Sequence, residues 1–246
     1  MISVIVPTLN EEKNIGDFFQ SLDQQSWQKF EVIIVDGGSK DRTVEKARRY
    51  GAKVIVEPVC PEFESRNIGA KKANSDILLF TCADVIFPRD LLNTVQREFS
   101  EDVELIALSG PSVPFNAPMI GRIEYELYNT LRYVLTKLPR SYKRFSTSTN
   151  FLAVRRDSFN KTGGFQLRDI NADGLMGRQL AEMGKIKLSL DTYVHISSRR
   201  IRSMGFAKFN KHYLYVLENF FPALSETRFI RKLKYRSGAT HRKIHE

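Results

Sequence analysis

Within the first hundred residues, four short β-branched runs alternate with polar segments of helical spacing. No other feature constrains the fold as strongly. The runs are residues 3–7 (SVIVP), 31–36 (EVIIVD), 53–57 (KVIVE) and 76–81 (DILLFT). Between them lie residues 11–25, with Ile15, Phe18, Phe19 and Leu22 on one helical face, then 41–50 and 64–74. Strand, helix, strand at this spacing predicts βαβ units and a parallel sheet. The uninterrupted apolar runs predict strands buried on both faces. Ser39 or Asp41 offers an N-cap for the second helix, and Gly51 a stop.

The second half is less regular. Residues 104–110 and 150–156 have strand character. Between them Ile120, Ile123, Leu127, Leu131, Val134 and Leu135 recur at the spacing of a long helix. A chain of 246 residues that is 42% hydrophobic and 27% charged can build a real core, which excludes a wholly disordered protein. Its two cysteines, Cys60 and Cys82, have no metal-type spacing and form no disulfide framework, as expected in a reducing cytosol. The opening MISVIVPTLNEE lacks the basic start and the length of a signal peptide. No stretch approaches the ~20 apolar residues of a membrane span. A cytoplasmic protein is the expectation.

In an open parallel sheet, ligands bind outside the carboxyl ends of the strands. Acids follow three of the four strands here: Glu11 in PTLNEE, Asp36 in VDGGSKDRT and Asp84 in TCAD. Three acids at three such ends predict one shared crevice, although each alone could be a cap or a turn residue. The glycine fingerprint of a dinucleotide fold is missing after the first strand, where the sequence reads PTLNEEKN, and a P-loop is missing too. The same stretch argues against a nucleotidyltransferase, which would place a glycine- and Lys/Arg-rich phosphate loop there.

ISVIVPTLNEEKNI, VIIVDGGSKDRT, SRNIGAKKANSDILLFTCAD and TGGF together resemble the family 2 glycosyltransferases. The resemblance runs over about residues 1–202. It implies a GT-A fold, that is, a Rossmann-like, mostly parallel central sheet flanked by helices. It also implies an inverting enzyme that takes a sugar from a UDP- or GDP-sugar donor. Carried over by position, Pro7, Thr8, Asn10 and Glu11 line the base and ribose, Asp36 contacts the base, and Arg66 lies near the nucleotide. Asp84 matches the last acid of the family's Asp-x-Asp, which holds a divalent cation, Mn²⁺ or Mg²⁺, against the diphosphate. The first acid is replaced: Cys82-Ala83-Asp84 stands in that place, and Cys82 and Ala83 are assigned to the nucleotide rather than the metal. Mg²⁺ commonly takes only one or two protein carboxylates beside substrate phosphates. A catalytically inactive nucleotide-sugar-binding scaffold is the rival that Cys82 supports.

After TGGF, the acid that opens a helix in the family is matched by Asp173, the candidate general base, with Asp169 as its rival. His195 is either a further metal ligand or a hydrogen-bonded histidine at a strand end. Arg199, Arg200 and Arg202 resemble a cluster that meets the diphosphate. These assignments divide the chain into a catalytic domain over 1–204 and a basic helical extension over 205–246. The domain has a nucleotide half (1–100) and an acceptor half (101–204).

The net charge is +10, and the stretch 199–246 carries twelve Lys/Arg against three Asp/Glu, an excess of nine. Phe206, Phe209, Tyr213, Val216 and Phe220 recur there at helical spacing. This stripe packs on the core or lies at the cytoplasmic face of a membrane, where it would meet a lipid-linked acceptor. A glycan is the other acceptor class. No nucleic-acid motif accompanies the charge, so nucleic acid is not an expected partner.

Overall fold

The computed structural model describes residues 1–137, 147–166 and 172–198. The order is β1 (Ile2–Thr8), α1 (Ile15–Asp23), β2 (Phe30–Asp36), α2 (Thr43–Arg49), β3 (Lys53–Val56), α3 (Glu62–Lys71), β4 (Ile77–Phe80), β5 (Val85–Ile86) and α4 (Leu91–Glu101). There follow β6 (Leu105–Ser109), β7 (Ser112–Phe115), α5 (Met119–Lys137), β8 (Leu152–Arg155), α6 (Arg156–Lys161), α7 (Ala172–Met183), β9 (Lys185–Leu188) and β10 (Val194–Ser197).

Seven strands form the central sheet in the order β3-β2-β1-β4-β8-β6-β9. The first four are mutually parallel, β8 runs antiparallel to both its neighbours, and β6 and β9 are parallel. The four β-branched runs are therefore the parallel block, with β1 at its centre. Alternate residues of β1 enter opposite cores. Ile2, Val4 and Val6 pack with Phe18 and Leu22 of α1, while Ile5 packs with Ile33, Val35, Phe80 and Phe165 on the other side. Burial on both faces explains why β1 and β4 read as continuous apolar runs; β3 departs from that expectation, since it lies at the sheet edge with Lys53 and Val56 exposed.

α3 lies close against β1 and β2. A Cβ at its Gly69 would collide with the Ile5 side chain and touch Val35. The stop expected at Gly51 is present, with φ +77° after α2. The N-cap expected at Ser39 or Asp41 falls instead on Arg42, which makes no side-chain cap bond. Asp41 Oδ1 accepts the Thr43 amide at 3.0 Å, whereas Ser39 Oγ turns back to Asp36.

A smaller three-stranded sheet, β5-β10-β7, stands beside the large one. β10 pairs antiparallel with β5 and parallel with β7. The helix expected between the two second-half strands is α5, but its apolar stripe does not face the core. Gly121, Tyr125, Arg132 and Leu135 point inward, while Ile120, Ile123, Leu127, Leu131 and Val134 are exposed. Among the described residues no helix is long and apolar enough to cross a membrane. The expected boundary at 204, the extension 205–246, Asp169 and Arg199, Arg200 and Arg202 all lie outside the described residues.

Candidate active site at the strand ends

The loops leaving β1 and β2 are stitched to each other at their carboxyl ends. Asp36, the last residue of β2, is fully buried. Its Oδ2 accepts Thr8 Oγ1 at 2.8 Å and Ser39 Oγ at 2.6 Å, and its Oδ1 accepts the amides of Gly38 (3.0 Å) and Ser39 (2.7 Å). Four donors match the four lone-pair directions of a carboxylate. Asn10 adopts φ +54°, a conformation that asparagine tolerates. Its amide donates to Ser39 Oγ, and its Oδ1 accepts the Lys40 amide at 2.9 Å. The Glu11 amide donates to Thr43 Oγ1, and its carboxylate accepts Asn14 Nδ2 at 2.6 Å. Pro7 remains inside β1, opposite Val35. The acids after β1 and β2 thus build the rim of the crevice.

Arg66 occupies the floor. It stands on α3 with no exposed surface. Nη1 donates to the Thr81 carbonyl at 2.6 Å. Nη2 donates to Glu62 Oε1 at 2.7 Å and to Cys82 Sγ at 3.2 Å. Burial works against the guanidinium's charge, but Cys82 and Glu62 outweigh it and its pKa is raised. The Cys82 thiol in turn faces Asn150 Oδ1 at 3.8 Å, and Thr81 Oγ1 donates to the Asn150 carbonyl. Ala83 is buried beside this cluster. The basic residue expected near the nucleotide is therefore anchored beneath the end of β4.

Strand register puts Asp84 and His195 on one face. In the β5–β10 ladder His195 opposes Ile86 and Ile196 opposes Val85, and the Ser197 amide donates to the Asp84 carbonyl at 3.1 Å. Side chains alternate between the faces of a strand. Val85 and Ile196 face the core, and His195 and Asp84 share the other face as diagonal neighbours. His195 Nδ1 is buried without a hydrogen-bond partner among the described residues, and its ring stacks edge-on with Tyr193 at 5.0 Å. Among the described residues no three His, Cys, Asp or Glu side chains assemble as a metal cluster.

Asp173 sits in the first turn of α7. Its Oδ1 accepts the Gly174 amide at 2.8 Å. Burial pushes its carboxyl above the usual carboxylate range. The Gly174 amide and the guanidinium of Arg132 oppose this, Glu62 adds to it, and Arg66 opposes it. These influences put Asp173 within electrostatic reach of the β4 floor and of α5. Two groups on α5 share the spot. Arg132 is buried, donates to the Gly110 carbonyl and Ser109 Oγ at 3.3 Å each, and lies 5.5 Å from the Tyr128 ring centroid. Burial raises the Tyr128 phenol, with Arg132 opposing and Asp173 adding to the shift.

Sequence reasoning missed Glu62, Asn67, Tyr128, Arg132 and Asn150. Asn67 directly follows Arg66 and clamps the TGGF loop. Its Nδ2 donates to the Phe165 carbonyl at 3.0 Å, and its Oδ1 accepts the Phe165 amide at 2.9 Å. Gly164 passes over it with φ +84°, and a Cβ there would lie 2.7 Å from Asn67 Oδ1. The clamp ties the loop after α6 to α3. Its one sequence signal is the neighbouring pair Arg-Asn ahead of a glycine.

A mostly parallel central sheet flanked by helices, with a carboxylate-stitched loop pair at its strand ends and Asp84 and His195 on one face beside it, defines an architecture of the GT-A type. A family model described as "Glycosyl transferase family 2" matches residues 3–163, and the chain belongs to that family. It is similar to a poly(ribitol-phosphate) beta-N-acetylglucosaminyltransferase of Staphylococcus aureus, 34% identical over 119 residues, covering 44% of this chain and 21% of that protein. It is also similar to a dolichol-phosphate mannosyltransferase of Pyrococcus furiosus, 34% identical over 97 residues, covering 37% of this chain and 28% of that protein. The matched stretches thus span less than a third of these relatives' own lengths. Among solved structures, a mannosyltransferase of Pyrobaculum calidifontis in complex with GDP-Man and Mn²⁺ shares the fold. Its TM-score is 0.63 at 20% identity, covering 93% of this chain and 69% of that one.

Proposed function

We propose that the chain is an inverting glycosyltransferase that moves a sugar from a UDP- or GDP-sugar to the hydroxyl of a glycan or lipid-linked acceptor, acting in the cytosol. The observation that carries this reading is the position of Asp173. A carboxyl of raised pKa stands within electrostatic reach of both Arg66 and Arg132, where the nucleotide half meets the acceptor half. A general base needs that placement and a proton affinity matched to its task. In the reaction, the acceptor oxygen attacks the anomeric carbon from the face opposite the leaving group. Its proton passes to the Asp173 carboxylate. The bond from the anomeric carbon to the diphosphate oxygen breaks, and its electron pair leaves with the nucleoside diphosphate. One displacement inverts the configuration.

The residues on the open face of β5 and β10 fit a divalent cation. Asp84 supplies a carboxylate, and the buried, unpartnered Nδ1 of His195 supplies an imidazole nitrogen. That pair suits Mn²⁺ better than Mg²⁺, with diphosphate oxygens completing the set. A bound cation would offset the charge developing on the leaving diphosphate. Arg199, Arg200 and Arg202 are assigned to the same diphosphate by resemblance.

The test is calorimetric titration of UDP, GDP and their sugar conjugates with Mn²⁺, with Mg²⁺ and with chelator, on the native chain and on Asp84→Ala. Metal-dependent binding of one nucleotide, lost in the variant, is the expected result. No nucleotide binding under any condition removes the proposal. Cys82 keeps the reading of an inactive sugar-nucleotide scaffold alive. Binding without turnover against a panel of acceptors would favour it.

A further inference from the structure

The outward face of α5 is unlike any other surface of the described molecule. Ile120, Ile123, Leu127, Leu131 and Val134 form one stripe, with Leu127 66% exposed and Ile120 52%. At 1.5 Å per residue the stripe is about 20 Å long. Scattered apolar residues on a surface need no explanation, but a continuous row of this length marks a contact face. Exposed Arg122 and Lys137 stand near its two ends with one exposed acid, Glu126, between them, and the sequence continues from Lys137 through Arg140, Lys143 and Arg144. The stretch from 199 onward adds its excess of nine positive charges. Ser198, the last described residue, donates its Oγ to the carbonyl of Asn116, three residues before the helix.

We infer that the exposed face of α5 docks in the plane of an anionic lipid bilayer. An apolar stripe flanked by cations is the pattern by which a helix lies at a membrane interface: the side chains enter the headgroup–acyl boundary and the cations meet anionic lipid. An acidic protein partner would use the cations but would leave the stripe unexplained. The inner face of the same helix carries Tyr128 and Arg132 beside Asp173. One helix diameter, about 10 Å, therefore separates the bilayer surface from the candidate base. Resting on the glycosyltransferase reading, this geometry selects the lipid-linked class of acceptor, presented from the interface.

The experiment is co-sedimentation of the full chain with vesicles of phosphatidylcholine containing phosphatidylglycerol, and of phosphatidylcholine alone. Binding to the anionic vesicles is expected, and Leu127→Glu with Leu131→Glu should weaken it on the order of tenfold or more. Thermal stability and nucleotide affinity should be unchanged. A second readout uses Leu127→Trp, whose fluorescence should be quenched by brominated lipid beyond the background of Trp27. Unchanged vesicle binding by the charged variant, or no quenching at position 127, overturns the inference. A fall in thermal stability with vesicle binding intact also overturns it, and assigns the stripe to protein, either residues 199–246 or a second copy. Failure of the glycosyltransferase reading looks different: vesicle binding persists while no nucleotide binds.

Discussion

Arg66→Met separates two roles for the buried arginine. By resemblance Arg66 lies near the nucleotide, but its side chain is fully buried and both terminal nitrogens are committed to the protein. Methionine keeps much of the length and apolar volume, so the cavity contribution is small. What is lost is the pair of charge-assisted bonds to the Thr81 carbonyl and Glu62. Removing one partner of a buried ion pair costs about 3–5 kcal/mol when the other stays buried. Here the Glu62 side chain is 36% exposed, and water can take it up. The Thr81 carbonyl keeps the penalty of a buried acceptor, about 1–3 kcal/mol. The variant also escapes the desolvation of a guanidinium whose Nε has no partner. The net expectation is a loss of about 2–3 kcal/mol.

For a chain of this size such a loss lowers Tm by about 4–12 °C. Urea denaturation followed by far-UV circular dichroism reads it as a lower midpoint with an unchanged slope. Nucleotide affinity should weaken only modestly, because the end of β4 loses its anchor but no ligand contact. A variant as stable as the parent that no longer binds nucleotide would refute the reasoning. Arg66 would then reach the ligand directly, and its internal bonds would contribute little.

Two further outcomes follow from the same geometry. The raised pKa of Asp173 means that the folded chain holds this proton more tightly than the unfolded chain does. Its ionised form therefore costs stability above the ordinary aspartate range, and the cost disappears as pH falls through the raised value. The acid limb of kcat/KM should lie above the usual aspartate pKa, and Asp173→Asn should abolish turnover while unfolding no lower than the parent at neutral pH. A Tm lower than the parent's, with turnover retained, would remove Asp173 as the base. Gly164→Ala forces a side chain into φ +84° and against Asn67 Oδ1. It should cost about 1–2 kcal/mol, measured by denaturant midpoint, and weaken acceptor use more than nucleotide binding.

Most of the parallel block was legible because β1, β4 and the end of β2 are buried on both faces, and such strands advertise themselves as β-branched runs such as EVIIVD, whereas β3 keeps its run at the exposed sheet edge. α5 was legible as a helix but not in its orientation. The usual inference turns an apolar stripe inward, yet here the inward face is Tyr125, Arg132 and Leu135. Arg132 can be buried because Gly110, Ser109 and the Tyr128 ring meet its guanidinium. Tyr128 is one turn earlier on the same helix, but the oxygens that accept from Arg132 are more than twenty residues away, so in the sequence Arg132 reads as a solvated helix charge. Arg66 was singled out by resemblance, but its burial was not legible, because Thr81 and Cys82, which receive it beneath β4, lie 15 and 16 residues away. That Asp84 and His195 share a face depends on the register of β5 with β10, two short strands more than a hundred residues apart, and no local pattern encodes it.

The cysteine in place of the first family acid is best understood from its partner. An aspartate at position 82 would present a carboxylate to Arg66. With Cys82 there, Glu62, one turn earlier on α3, supplies the charge, and the sulfur accepts the second direction of Nη2. Position 82 therefore serves the arginine beneath the crevice, while Asp84 lies on the face that His195 shares. Cys82→Asp should then strengthen the fold without strengthening the proposed metal site. A charge-assisted bond to the guanidinium contributes about 1.5–3 kcal/mol. Competition with Glu62 for Nη2 should reduce the gain to about 1 kcal/mol, or 2–4 °C in Tm. The apparent affinity for Mn²⁺ in the nucleotide complex, read by calorimetry, should stay within about threefold of the parent, a shift smaller than the tenfold that marks a lost outer-sphere partner. A large rise in Mn²⁺ affinity with no gain in stability would mean that the side chain at 82 turns to the cation, and that its contact with Arg66 is incidental.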